Sequence, residues 1–210
     1  SIANRFTDDH FARQYKQTIG LDFFVKKLQL PGSLTATLQI WDIGGQSIGG
    51  KMIRNYIYGA HAVLLCYDVT NYASFQNLED WYALVQRTFA DAKAPLPLVV
   101  IVGNKSDLAH MRAVRVEKHV QFAEENDMTN VFVSAKSGDN VSAAFVRITA
   151  ELAGVGLTKP ILEVATKVVR AQVIEHPEDR DAAGLAAARA LTSRASEARS
   201  RRRGAGCVLM

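Results

Sequence analysis

Hydrophobic and polar positions change rhythm several times along the chain. From Leu21 to Leu30 and from Leu34 to Trp41, β-favouring residues run in two segments separated by Pro31, Gly32 and Ser33, which predicts two antiparallel strands joined by a tight connection. Ala62 to Asp68, Leu96 to Gly103 and Asn130 to Ser134 are short apolar runs of the kind required of strands buried on both faces. Each is followed by residues spaced for a helix. Ser74 is expected to cap a helix through Phe89 that turns Phe75, Leu78, Trp81, Tyr82 and Val85 inward, and Val116 to Asn126 and Asn140 to Ala153 repeat the spacing. Strands alternating with helices predict an α/β fold: a mostly parallel central sheet, flanking helices and one antiparallel hairpin edge.

The 210 residues, 48% of them hydrophobic, suffice for one domain with a sizeable core and an appendage. No apolar run approaches the ~18 residues of a membrane-spanning helix. The net charge of +4 is unevenly placed: six Arg and only Glu197 fall in residues 185–210, which leaves the body nearly neutral. Basic residues crowded into an Ala/Ser/Gly-rich end, without base-reading groups beside them, argue against a nucleic-acid partner. From Ala182 onward there is too little large apolar surface to offset the entropy of folding, and the two leucines of Leu185 to Leu191 give too small a face for more than transient helix. Cys66 in an apolar run and Cys207 near the end make no disulfide framework, so an intracellular setting is expected. The first residue is Ser1, and the amino end is expected to be incomplete.

In open α/β sheets ligands sit at the carboxyl ends of strands, and the polar candidates cluster there. Asn104-Lys105-Ser106-Asp107 follows an apolar strand. Asp107 can accept from the N1–H and the exocyclic amine of guanine, a donor pair adenine lacks, while Asn104 braces the loop and the Lys105 stem covers the base. The same four residues also make an ordinary polar turn. Ser134-Ala135-Lys136 stands at the next strand end, where the Ala135 N–H can donate to guanine O6; alone it is a common loop, and its pairing with residues 104–107 gives it weight. In Trp41-Asp42-Ile43-Gly44-Gly45-Gln46, Asp42 can hold magnesium through a water, Gly45 lets a backbone N–H approach a terminal phosphate, and Gln46 can orient an attacking water. A glycine-rich turn before a helix is the alternative. Thr18 offers a hydroxyl just before the first strand, as a possible magnesium ligand or as a plain loop residue.

With these motifs in place, the sequence resembles the Ras-like small GTPases of the Rab branch. Ile19-Gly20-Leu21-Asp22-Phe23 is similar to the Rab strand-two signature, and Tyr56-Ile57-Tyr58-Gly59-Ala60 and Leu64 to Thr70 resemble the end of switch II and the run after it. The wording of Tyr15 to Phe24 and Trp41 to Lys51 resembles Rab subfamily twenty-eight. The resemblance covers residues 1–175 and leaves 176–210 as a flexible basic tail. It implies a P-loop GTPase-like fold lacking strand one, with GTP/GDP and Mg²⁺ as ligands. Thr18 and Asp42 are implied at the metal, Gly45 at the γ-phosphate, Gln46 at the attacking water, and Asn104, Lys105, Asp107, Ser134, Ala135 and Lys136 at guanine. The implied partners are an exchange factor, a GTPase-activating protein and effectors through the switch regions.

The sequence departs from that pattern in places. Ile43-Gly44 stands where most Rabs carry Thr-Ala, Ser47 replaces a Glu, and Gly49 replaces a phenylalanine; Gly44, Gly45, Gly49 and Gly50 make switch II permissive, each costing about 1 kcal/mol of helical order relative to alanine. The 210 residues contain no Gly-x-x-x-x-Gly-Lys-Ser/Thr loop, and strand one with its phosphate loop is expected to precede Ser1. Cys207-Val208-Leu209-Met210 fits a prenylation box in which the terminal Met favours farnesyl, with Arg199 and Arg201 to Arg203 upstream. A prenyltransferase and the cytosolic face of a membrane follow as partners; a solvated basic tail is the alternative. The leading expectation is a prenylated Rab-type GTP-hydrolysing switch in intracellular membrane or ciliary traffic. The competing one is a truncated, nucleotide-free protein-interaction module.

Overall fold

Three apolar runs that follow one another in the chain form the parallel part of the sheet; the first two are buried on both faces, and the third, expected to be so too, lies at the sheet edge with two of its four residues exposed. In a computed structural model of the chain, which describes residues 1–12, 14, 17–48, 53–157 and the backbone of 207–209, these are β3 (Ala62–Asp68), β4 (Leu98–Asn104) and β5 (Thr129–Phe132), paired in parallel. The hairpin of β1 (Leu21–Leu30) and β2 (Leu34–Gly44) is antiparallel, with Leu21 opposite Ile43 and Leu30 opposite Leu34. A short strand β6 (Cys207–Leu209) pairs antiparallel with both β2 and β3, so the order across the sheet is β1-β2-β6-β3-β4-β5. The helices are α1 (Ile2–Asp8), α2 (Ile53–Ile57), α3 (Tyr72–Gln76), α4 (Leu78–Asp91), α5 (Val116–Glu125) and α6 (Val141–Leu152).

Side-chain alternation splits the core between the two faces of the sheet. Val63, Leu65 and Tyr67 of β3, with Val99 and Ile101 of β4, pack in one cluster with Leu78, Trp81, Val85 and Phe89 of α4 and Ala123 of α5. Leu64, Cys66, Val100 and Val102 point the other way, to Ile2, Ala3 and Phe6 of α1 and Phe145 and Ile148 of α6. Phe6 stacks on Phe145 with ring centroids 3.9 Å apart, which fixes α1 against α6.

The expected α/β architecture with its hairpin edge is present, with local differences. One helix from Ser74 to Phe89 is instead two, α3 and α4, and the cap of α3 is Asn71, whose side chain accepts from the Ser74 N–H at 3.3 Å. Ser74 lies inside the helix. Its hydroxyl donates to Asn71 O at 2.6 Å and accepts from the Asp68 N–H at 3.0 Å, which ties α3 to the end of β3. β2 runs on to Gly44, so Asp42 lies inside the strand rather than closing it, because β1 and β6 both pair with its last residues. β4 starts at Leu98, after Pro97 has removed a ladder donor. β5 stops at Phe132, and Ser134 turns its N–H to Asp139 O at 3.0 Å. The expected boundary at residue 175, the Leu185 to Leu191 stretch and the basic residues Arg199 and Arg201 to Arg203 lie outside the described residues, as do Tyr15, Lys16 and Gly49 to Lys51 of the quoted motifs. Of the tail expected to be flexible, only Cys207–Leu209 is described, and it is a strand.

At the C-terminal half of the sheet, His119 of α5 is fully buried, shares a hydrogen bond with Tyr67 Oη at 3.0 Å and lies against the Phe132 ring. Burial, helped by the charge of Arg112, lowers its pKa to about 4. A histidine buried neutral binds its proton only at low pH, whereas the unfolded chain takes it up near 6.5, so folding loses stability as pH falls from about 6.5 to about 4. Denaturant unfolding across that window should show the decline, worth about 3 kcal/mol at most, and His119→Gln should flatten it. An unchanged slope in the variant assigns the dependence to other groups.

Candidate functional site

Two clusters of polar residues line the carboxyl edge of the sheet, and backbone geometry explains both. At the end of β4, Asn104 turns its side-chain oxygen back to accept the Lys105 N–H at 2.8 Å and reaches across to accept the Ala135 N–H at 3.1 Å. Lys105 itself adopts a left-handed backbone, φ 68°, a conformation that costs a lysine on the order of 1 kcal/mol and that the Asn104 bond helps to offset. Asp107 Oδ1 accepts from the Ser134 hydroxyl at 2.6 Å, and Lys136 Nζ stands 3.9 Å from Asp107 Oδ2. The fully buried Ser134 also orders its own loop, its hydroxyl accepting the Ser137 N–H at 3.1 Å. All six residues expected at guanine are therefore in one place, tied by hydrogen bonds between the loops after β4 and β5.

Sequence reasoning missed Asp68, which lies opposite Asn104 in the β3–β4 register. Its Oδ2 is 2.6 Å from Lys105 Nζ, and its Oδ1 accepts the N–H and hydroxyl of Thr70 at 2.9 and 2.7 Å. Burial pushes the Asp68 carboxyl up, but the hydrogen bond from Lys105, those from Thr70 and the lysine charge outweigh it and hold the pKa below its ordinary value. Asp68 thus fixes the head of Lys105 and leaves its stem to run along the loop. The signal in the sequence was an acidic residue at the end of an apolar strand.

The second cluster forms where β1 and β2 meet. Asp42 is almost completely buried, and the Ser1 backbone nitrogen lies 4.0 Å from its Oδ2. Gly44 donates its N–H to Gly20 O at 2.9 Å, and Ser47 Oγ donates to the same carbonyl at 3.4 Å. Gly45 and an exposed Gln46 lie in the 3₁₀ turn Gly45–Ser47 that follows β2. Half-buried Thr18 is brought alongside, its carbonyl so close to Gly44 that a Cβ there would overlap it. Thr18, Asp42, Gly45 and Gln46 are therefore neighbours at one strand end. Cys207 belongs to neither cluster by its chemistry; its backbone pairs with Gly44 in β6.

An open α/β sheet that carries an amide and a carboxylate after one strand, an S-A-K loop after the next and a buried aspartate before a glycine turn is the arrangement expected of the phosphate-loop GTPase class. Comparison with known proteins agrees. The Ras family model matches residues 1–154. Ras-related protein Rab-28 of Caenorhabditis elegans is 45% identical over 182 residues, 87% of this chain and 73% of that protein. Ras-related protein RABD2a of Arabidopsis thaliana is 37% identical over 148 residues, 70% of each chain. The chain belongs to the Ras family, as a Rab-like homologue, and the function this membership supports is that of a Rab-type GTPase switch, with GTP or GDP and Mg²⁺ as the ligands general to the family.

Gly44 occupies the position at which most Rabs carry alanine, and in this chain the space for that methyl is taken by the Thr18 carbonyl. Gly44→Ala should push residues 17–20 off the end of β2, at a cost of roughly 1–3 kcal/mol for overpacking. Amide hydrogen exchange is expected to rise at residues 17–22 and stay unchanged in β4. Equal protection in parent and variant would show that the segment yields without cost.

Proposed function

We propose that this chain reads guanine with Asn104, Lys105, Asp107, Ser134, Ala135 and Lys136, and that the γ-phosphate and magnesium end of the nucleotide lies at Thr18, Asp42, Gly45 and Gln46. The observation that carries the reading is the pair of bonds between the loops, Asn104 Oδ1 to the Ala135 N–H and Ser134 Oγ to Asp107 Oδ1. They present a preorganised carboxylate, which accepts only and therefore selects the paired donors of guanine over the pattern of adenine. The Ala135 N–H already serves Asn104, so a guanine O6 would share that donor. Asp42 and Thr18 would hold Mg²⁺, since a carboxylate and a hydroxyl are the hard oxygen donors this ion takes while keeping several waters, and the ion would neutralise phosphate charge. Gln46, exposed on its turn, orients the attacking water.

Exchange factor, GTPase-activating protein and effectors dock on the face formed by the two switch segments. An exposed apolar patch supports this: Ile19 is 89% and Phe23 47% exposed, and Phe23, Trp41 and Tyr56 form a ladder with centroids 4.7 and 5.9 Å apart. Cys207 is the acceptor of a prenyl group. One lipid chain and the upstream arginines make a two-part anchor on the cytosolic face of a membrane, where the switch acts in vesicle or ciliary traffic. Lipidation requires the Cys207–Leu209 backbone to leave β6, because a transferase must engage the whole box.

Competitive displacement of a fluorescent guanine nucleotide tests the base reading. GDP should be preferred over ADP by several kcal/mol, on the order of 10³-fold. Asp107→Asn should shift preference toward xanthosine diphosphate, whose C2 oxygen pairs with an amide donor. Equal affinity of the parent for ADP and GDP contradicts the assignment.

A further inference from the structure

Nothing in the hydrophobic pattern singles out Arg5, yet all three nitrogens of its guanidinium are engaged. Nε donates to Ala135 O and Nη2 to Lys136 O, both at 2.8 Å. Nη1 donates to Asp9 O at 2.8 Å and to Asp9 Oδ1 at 2.9 Å. The side chain is only 16% exposed, and its Cδ lies against Gly138, where an added Cβ would stand 3.5 Å away. We propose that Arg5 is a positioning residue that clasps the base-reading loop and couples it to the segment leaving α1 toward Thr18. The proposal rests on the assignment of Ser134–Lys136 to guanine made above.

The geometry carries it in three steps. Two consecutive carbonyls, of Ala135 and Lys136, are held by one rigid planar fork, which fixes both peptide planes; a flexible ammonium offers no such template. The loop closes on itself through Ser134 N–H to Asp139 O and Gly138 N–H to Ser134 O, neither of which uses the carbonyls of Ala135 and Lys136 that the fork holds. α1 is a firm platform for the fork: Ile2, Ala3 and Phe6 are buried and Phe6 stacks on Phe145. The remaining guanidinium nitrogen holds Asp9, which ends α1 in a left-handed conformation, φ 50°. A partner that draws Asp9 outward therefore strips Arg5 of the Asp9 bonds and loosens its grip on the base loop. Nucleotide release is linked by this route to the position of the segment between α1 and Thr18.

The test uses the full chain with Arg5→Ala and Arg5→Lys, followed by amide hydrogen exchange and by GDP dissociation. In Arg5→Ala, exchange at residues 135–139 and 9–12 should rise together by roughly tenfold or more, the scale of losing a hydrogen bond from a charged group, while residues 99–103 and 142–151 keep their protection. Arg5→Lys should fall between parent and Arg5→Ala, since one ammonium reaches one carbonyl, and GDP should leave in the same order. Unchanged loop exchange overturns the clasp, and so does a uniform rise through β4 and α6, which would make Arg5 a support of the whole fold. Faster loop exchange with an unchanged GDP dissociation rate overturns its role in nucleotide retention. If the parent binds no GDP, the exchange pattern alone decides the clasp. If Arg5→Ala fails to fold, Arg5→Lys carries the same comparison.

Discussion

One side-chain oxygen joins the two loops that the site is made of. Asn104 Oδ1 accepts the N–H of Lys105 and the N–H of Ala135, so the end of β4 and the loop after β5 cannot move independently without leaving a backbone donor unpaired, at a cost of about 1–3 kcal/mol. The Ser134–Asp107 bond repeats the connection in the opposite sense. Around this pair the rest is arranged: Asp68 fixes Lys105 from β3, and Arg5 holds the far side of the S-A-K loop from α1. Parallel pairing of β3, β4 and β5 is what brings these strand ends into line.

The second cluster depends on a different constraint, the close approach of the Thr18–Gly20 segment to the end of β2. Gly44 permits it by lacking a side chain and secures it by donating to Gly20 O. α1 lies between the clusters, with Ser1 near Asp42 and Arg5 at Ala135. Four residues of helical rise, roughly 6 Å, separate its two contacts. A short helix stacked on α6 thus touches both clusters.

Much of this was legible in the sequence, for identifiable reasons. β3 was read to its exact ends because Ala62 to Asp68 is uninterrupted and buried on both faces. Residues 104–107 and 134–136 were legible because the chemistry sits in consecutive residues. What was missed depends on partners distant in sequence. Arg5 is one charged residue on a short helix until Ala135, 130 positions away, is folded against it, and Asp68 matters only once the β3–β4 register places it beside Lys105. The start of α3 was placed at Ser74 because a serine is a good cap; in the fold the Asn71 side chain accepts the Ser74 N–H and the Ser74 hydroxyl is taken up by Asp68 and Asn71, and the break between α3 and α4 falls at Asn77. β6 has no local signal, since Cys207–Leu209 is too short to be distinguished from a tail.

If the two loops form one base-reading unit, their two connecting bonds must act jointly. The direct measurement is a double-mutant cycle on GDP affinity with Asn104→Ala, Ser134→Ala and both. Since either bond alone still partly aligns the loops, the account predicts a coupling of about 1 kcal/mol or more between the two substitutions. Effects that add within about 0.3–0.5 kcal/mol would show two independent contacts and contradict it.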